Sequence, residues 1–149
     1  MWESQSGRCP TCRQAASVLK SSLALFEEGP QHYVLEEYEQ CLEKMKEVLS
    51  LDEDHNEANV LAGELYLEGL GVPTDLELAK DYFQKARSGG DVVAMYNLGI
   101  LYDCSCLELV EAQKYYLEAH DKGHLQATFN LGVMHHNRGE SDQAQEVLL

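Results

Sequence analysis

Between residues 34 and 49, apolar side chains fall at Val34, Tyr38, Cys41, Leu42, Met45, Val48 and Leu49. Steps of three and four residues put these on one side of a helix and leave the charged residues on the other. A looser stripe precedes it at Ala15, Leu19, Leu23 and Phe26, with Gly29-Pro30 read as the turn between the two.

From residue 58 the pattern repeats. Ala58 to Tyr66, Ala94 to Tyr102 and Ala127 to His135 align on Gly63, Gly99 and Gly132, giving periods of 36 and 33 residues. Repeats of this length indicate a helical solenoid. Each aligned copy leads into a second helical pattern: Ala79, Tyr82, Phe83 and Ala86, then Ala112, Tyr115, Tyr116 and Ala119. A third begins at Ala144, Val147 and Leu148. A glycine in mid-helix costs about 1 kcal/mol relative to alanine, so three in register call for a packing reason. The expectation is that each lets the paired helix approach closely, meeting the alanine that opens it. Gly69, Gly71 and Pro73 break the chain before Asp75, an expected helix start. Ser88-Gly89-Gly90 ends that helix, with Asp91 the expected N-cap of the next; Lys122-Gly123 and Gly139-Ser141 mark later ends. The reading is all-α, about eight helices in antiparallel hairpins at about 13–50, 56–88, 92–122 and 125–149, behind a tail of residues 1–12.

The stretch from Ala58 to Ala86, with Leu65-Tyr66, the insert Gly69-Leu-Gly-Val-Pro-Thr-Asp75, then Ala79 and Tyr82, resembles a Sel1-like repeat. The other two copies lack that insert. From glycine to second-helix alanine the separations are 16, 13 and 12 residues, the shortest similar to a tetratricopeptide (TPR) spacing. This resemblance implies a right-handed superhelix whose first helices line a concave groove, and an adaptor role in protein assemblies. On that footing the groove residues are Val60, Tyr96 and Phe129 in one row and Glu64, Ile100 and Val133 in the next. Glu57, Val93 and Gln126 lie before them, and Glu68, Cys104 and Asn137 after. Asn97 and Asn130 either bond a peptide backbone or tie neighbouring repeats together. The lysine-and-asparagine clamp by which some TPR proteins hold acidic chaperone tails would need asparagine just after the glycine. Glu64, Ile100 and Val133 stand there instead.

Charge narrows the partners. Lysine and arginine total 11 against 26 acidic residues, a formal net charge of −15. Phosphate backbones and anionic membranes are disfavoured, while a basic protein or peptide with an apolar anchor suits the groove. No apolar run approaches a membrane span or the core of a signal peptide. The five cysteines form no regular framework, so reduced thiols and a cytoplasmic setting are expected.

Candidate chemistry is sparse. Cys9-Pro-Thr-Cys12-Arg13 has zinc-ligand spacing and resembles the last ligand pair of a RING finger, but supplies two ligands of the four required. It motivates an alternative reading, the helical part of a zinc-containing ubiquitin ligase. Cys104 and Cys106 replace the glycine insert of the first repeat and read as loop. His135 and His136 diverge by about 100° on a helix, and His120 with His124 is expected to cap helix-end carbonyls. No phosphate-cradling loop, metalloprotease pair or nucleophile elbow occurs. A hydrolase on a Sel1-like frame has no readable catalytic set. The expectation is a non-catalytic scaffold without cofactor. The sequence stops at Val147-Leu148-Leu149, part-way into a second helix, which leads to an expectation of end-to-end self-association.

Overall fold

The computed structural model describes residues 26–27, 29–30, 37–104 and 108–137. The described residues contain six helices and no strand: α1 (Tyr38–Leu51), α2 (Asn56–Glu68), α3 (Leu76–Ser88), α4 (Val92–Cys104), α5 (Leu109–Asp121) and α6 (Leu125–Asn137). The remaining helices of the expected eight lie outside the described residues, as does Val34. Gly29 and Pro30, expected as a turn, have helical backbone instead. A Cβ on residue 29 would run into the Met45 side chain, so the glycine serves a close approach to α1.

Consecutive helices pack antiparallel through short turns, and three cores fill the spaces between them. Cys41, Leu42, Met45 and Val48 of α1 meet Ala58, Ala62 and Leu65 of α2. Val60, Ala79, Phe83 and Ala86 meet Ala94, Leu98 and Leu101 of α4. Met95, Ala112, Tyr116 and Ala119 meet Ala127, Leu131 and Met134 of α6. The second helices α3 and α5 therefore each close on their own first helix and on that of the next repeat.

Two of the in-register glycines, Gly63 and Gly99, meet an aromatic ring rather than an alanine. A Cβ on Gly63 would stand 2.5 Å from Cε1 of Phe83, and one on Gly99 would strike the ring of Tyr116. The alanines Ala79 and Ala112 are fully buried one helical turn earlier. Beside this contact, Tyr66 stacks on Tyr82 at 5.8 Å and Tyr102 on Tyr115 at 5.4 Å, filling the wider end of each hairpin.

Turn chemistry sets the helix ends. Asp75 accepts from the Leu78 amide at 3.0 Å and Asp91 from the Ala94 amide at 2.9 Å. Gly90 and Gly123 hold φ of +86°, the left-handed conformation that ends a helix at low cost. The insert 69–75 curls back so that the Asp75 amide reaches the Tyr66 carbonyl at 3.0 Å.

Candidate functional site

Across repeats, the backbones of α2 and α4, and of α4 and α6, approach closely, whereas the second helices α3 and α5 meet through long side chains, Arg87 to Glu118 and Gln84 to Tyr115. An array that is tighter along one row of helices bends towards that row. The first helices therefore line the concave side, and their outward positions are the candidate interface.

Glu57, Val93 and Gln126, one per repeat, are exposed along this face. So are Glu68 and Asn137; the Cys104 side chain lies outside the described residues. Glu64, Tyr96, Ile100 and Asn130 are half-buried. Val60 is only 9 % exposed and belongs to the core beneath, because the following helix covers it through Leu98.

Asn97 is buried, and its amide donates to Glu64 Oε1 at 3.0 Å, across 33 residues. Asn130 hydrogen-bonds the Tyr116 phenol, whose pKa burial pushes well above its ordinary value. Both asparagines thus bond other parts of the solenoid: Asn97 joins α4 to α2, and Asn130 joins α6 to α5.

Glu64 carries the sharpest electrostatic signature on the face. Burial holds its carboxyl above the usual range, the Asn97 bond opposes that, and Glu68 and Asp91 raise it further by like-charge repulsion. Among the described residues, no ion pair involves Glu64 or Glu68. Three of the cations are engaged elsewhere: Arg87 pairs with Glu118 at 2.9 Å while lying over Tyr115, and Lys46 and Lys80 lie over Tyr66 and Tyr102.

Phe129 and Val133 stand at the register of Val60 and Glu64, on a stripe that begins at Asn56 in α2. In α2 the stripe Asn56, Val60 and Glu64 faces the next repeat: Asn56 donates to the Gly89 carbonyl at 3.2 Å, and Glu64 holds Asn97. In α4 the corresponding Val92, Tyr96 and Ile100 pack on the core shared with α6. The α6 counterparts Leu125, Phe129 and Val133 are 79 %, 61 % and 40 % exposed.

Two features escaped the sequence reading. His124 does not cap the end of α5. Its Nδ1 accepts from the Ala127 amide at 3.3 Å, capping the start of α6, while its ring stacks on Tyr96 at 4.5 Å. His55 does the same for α2 through the Ala58 amide, so His55, Asp91 and His124 are equivalent caps at periods of 36 and 33 residues. His120 Nδ1 instead meets the Thr128 hydroxyl at 2.7 Å, tying α5 to α6. Asn59, fully buried, donates to the Glu53 and His55 carbonyls and holds the α1–α2 turn. The alignment of the repeats marks these cap positions, but histidine is an uncommon cap and passes unnoticed.

Cys9 and Cys12 lie outside the described residues. Among those described, no three His, Cys, Asp or Glu side chains converge as a metal cluster, and no helix is long and apolar enough to cross a membrane.

Stacked antiparallel hairpins with one row of helices facing a common concavity define a helical-repeat solenoid of the kind that serves as a protein-interaction scaffold. The Sel1 repeat family model matches residues 56–91, 92–124 and 125–145. The chain belongs to the Sel1 repeat family. Among solved structures, a Sel1 repeat protein from Oxalobacter formigenes is 28% identical with a TM-score of 0.67, over 81% of this chain and 53% of that one. The chain thus spans about half the length of that relative. MamA is 23% identical with a TM-score of 0.70, over 91% of this chain and 81% of its own. A MamA fragment from Desulfovibrio magneticus RS-1 is 22% identical with a TM-score of 0.66, over 85% and 71%. The two MamA structures share the fold. No curated protein shows significant similarity to the chain.

Proposed function

We propose that the chain is a non-catalytic adaptor whose first-helix face holds a basic peptide segment with an apolar anchor. The carrying observation is Glu64, a half-buried carboxylate with like-charged neighbours Glu68 and Asp91 and no ion pair among the described residues. A lysine or arginine arriving there supplies the missing counter-charge in a partly desolvated setting, where a charge pair is stronger than at the open surface. One repeat further on, exposed Val93 and half-buried Tyr96 and Ile100 offer an apolar patch. Neighbouring helices lie about 8–10 Å apart, so an extended partner would place its apolar anchor about three residues from its basic one.

A cytoplasmic setting and a repeat domain running from residue 13 belong to the same proposal. The reading is tested by fluorescence anisotropy with labelled peptides carrying Lys or Arg and, three residues away, Leu or Phe. Glu64→Gln and Val93→Asp should each weaken binding about tenfold, roughly 1.4 kcal/mol. Binding indifferent to both changes, or equal binding of the peptide with its basic residue reversed to Glu, would overturn the reading.

A further inference from the structure

We propose that His124 is a proton-operated latch on the first-helix face: its neutral form caps α6 and holds Tyr96, and its protonation releases both. The latch is built into the α5–α6 turn, and its effect on a bound partner rests on the peptide-binding reading of the face.

The repeat register singles out this residue. His55, Asp91 and His124 cap α2, α4 and α6 at equivalent positions. Asp91 caps through a carboxylate, not an imidazole. Of the two imidazole caps, His55 has Glu57 Oε2 3.4 Å from its Nδ1, so a proton arriving there meets a carboxylate. Two places after His124 stands Gln126, and among the described residues no ion pair involves His124.

Hydrogen-bond roles separate His124 from the other histidine of the turn. The Thr128 hydroxyl donates to the His124 carbonyl at 3.2 Å, which makes His120 Nδ1 the donor in its 2.7 Å contact with that hydroxyl. An imidazolium keeps such a bond, because both its nitrogens donate. His124 Nδ1 instead accepts from the Ala127 amide at 3.3 Å, a role that protonation ends.

The surroundings of the ring oppose a charge on it. From α4, Tyr96 stacks on the ring at 4.5 Å, while the Asp91 carboxylate is turned to the Ala94 amide. From α5, His120 reaches the turn through Thr128, and residues 125–128 of α6 are uncharged. Asp121 and Lys122, of opposite charge, are both exposed. The face of Tyr96 attracts an imidazolium. Against that, the Ala127 amide and the positive end of α6 repel one, and burial holds the pKa below 6.5.

Tyr96 links the turn to the face. Its ring lies between His124 at 4.5 Å and Tyr116 at 5.9 Å, in the apolar patch with Val93 and Ile100. Losing one of the two flanking rings frees the phenol, and a patch without a fixed shape binds more weakly.

The test follows the His124 ring, the Ala127 amide and the Tyr96 ring by NMR between about pH 8 and 5, and a labelled basic peptide by fluorescence anisotropy over the same range. The three signals should titrate together with one midpoint below 6.5. His124→Asn, which keeps a cap acceptor, should remove the transition from Ala127 and Tyr96. Relative to His124→Asn, wild type should lose about a further fivefold in affinity as the pH falls. The same further loss should separate Glu64→Gln from the double variant Glu64→Gln/His124→Asn. Ala127 and Tyr96 signals indifferent to protonation of His124 overturn the latch. Signals that move while wild type and His124→Asn share one affinity profile overturn its link to the face. Glu64→Gln without effect on peptide affinity at neutral pH counts against the peptide reading instead, since the NMR titration judges the latch without a peptide.

Discussion

The ring of Phe83 lies over the bare backbone of Gly63, with Cε1 2.5 Å from the place where a Cβ would stand. Tyr116 covers Gly99 in the same way one repeat later. Alanine at position 63 gains about 1 kcal/mol of helix propensity but forces the fully buried Phe83 off its seat. Overpacking of this kind costs about 1–3 kcal/mol. Gly63→Ala should therefore lower stability on balance in urea melts. Adding Phe83→Leu should cost less than the two single changes summed, because the pair shares one contact.

Asn97 and Glu64 form the polar tie between the first two matched repeats. Asn97→Ala leaves a half-buried carboxylate without its donor and should destabilise by about 1–3 kcal/mol. Glu64 has a folded-state pKa above its ordinary 4.5, mainly through burial, so the folded chain holds that proton more tightly than the unfolded chain. Its ionisation opposes folding, and its contribution falls as pH rises through 4.5 and the raised value. Glu64→Gln should thus gain stability relative to wild type across that window and keep the gain at neutral pH. Denaturation at a series of pH values reads this directly.

His124 caps α6 only while Nδ1 is free to accept. Burial holds its pKa below the ordinary 6.5, so just below that pH the unfolded chain binds more protons than the folded one. The contribution of this group is complete above pH 6.5 and is lost as pH falls towards the lowered value. His124→Asp keeps an acceptor, as Asp91 does in the preceding repeat, and removes the titration. Wild type should lose more stability than His124→Asp between about pH 7.5 and 5.5, by an amount within the cap's worth of about 0.5–2 kcal/mol.

Much of the architecture is legible in the sequence because it rests on local, repeated chemistry. The glycine register, the Ala-and-aromatic spacing of the second helices, and the acceptors Asp75 and Asp91 all act within a few residues of their own position. What sits opposite what is less legible. Spacing places Ala79 and Phe83 on one face, but only the hairpin's axial offset brings Phe83 rather than Ala79 to Gly63. The same limit applies to the site. Val60, Tyr96 and Phe129 are one row by register, yet Val60 lies beneath a neighbouring helix, Tyr96 is half covered and Phe129 is open. The difference comes from what each repeat has beside it, and no single helix encodes that. Gly29-Pro30 misleads for a related reason, since its glycine answers to Met45 and not to a turn.

The measurement that bears most directly on the scaffold reading is a titration of one labelled peptide, with a basic residue three positions from an apolar one, into wild type and Glu64→Gln across pH. A bound cation favours the ionised form of Glu64, so wild-type affinity should fall as pH drops through the raised pKa of that carboxyl. Glu64→Gln should bind about tenfold more weakly at neutral pH and show little of that dependence. Equal affinity and the same pH profile in both proteins would contradict a peptide site built around Glu64.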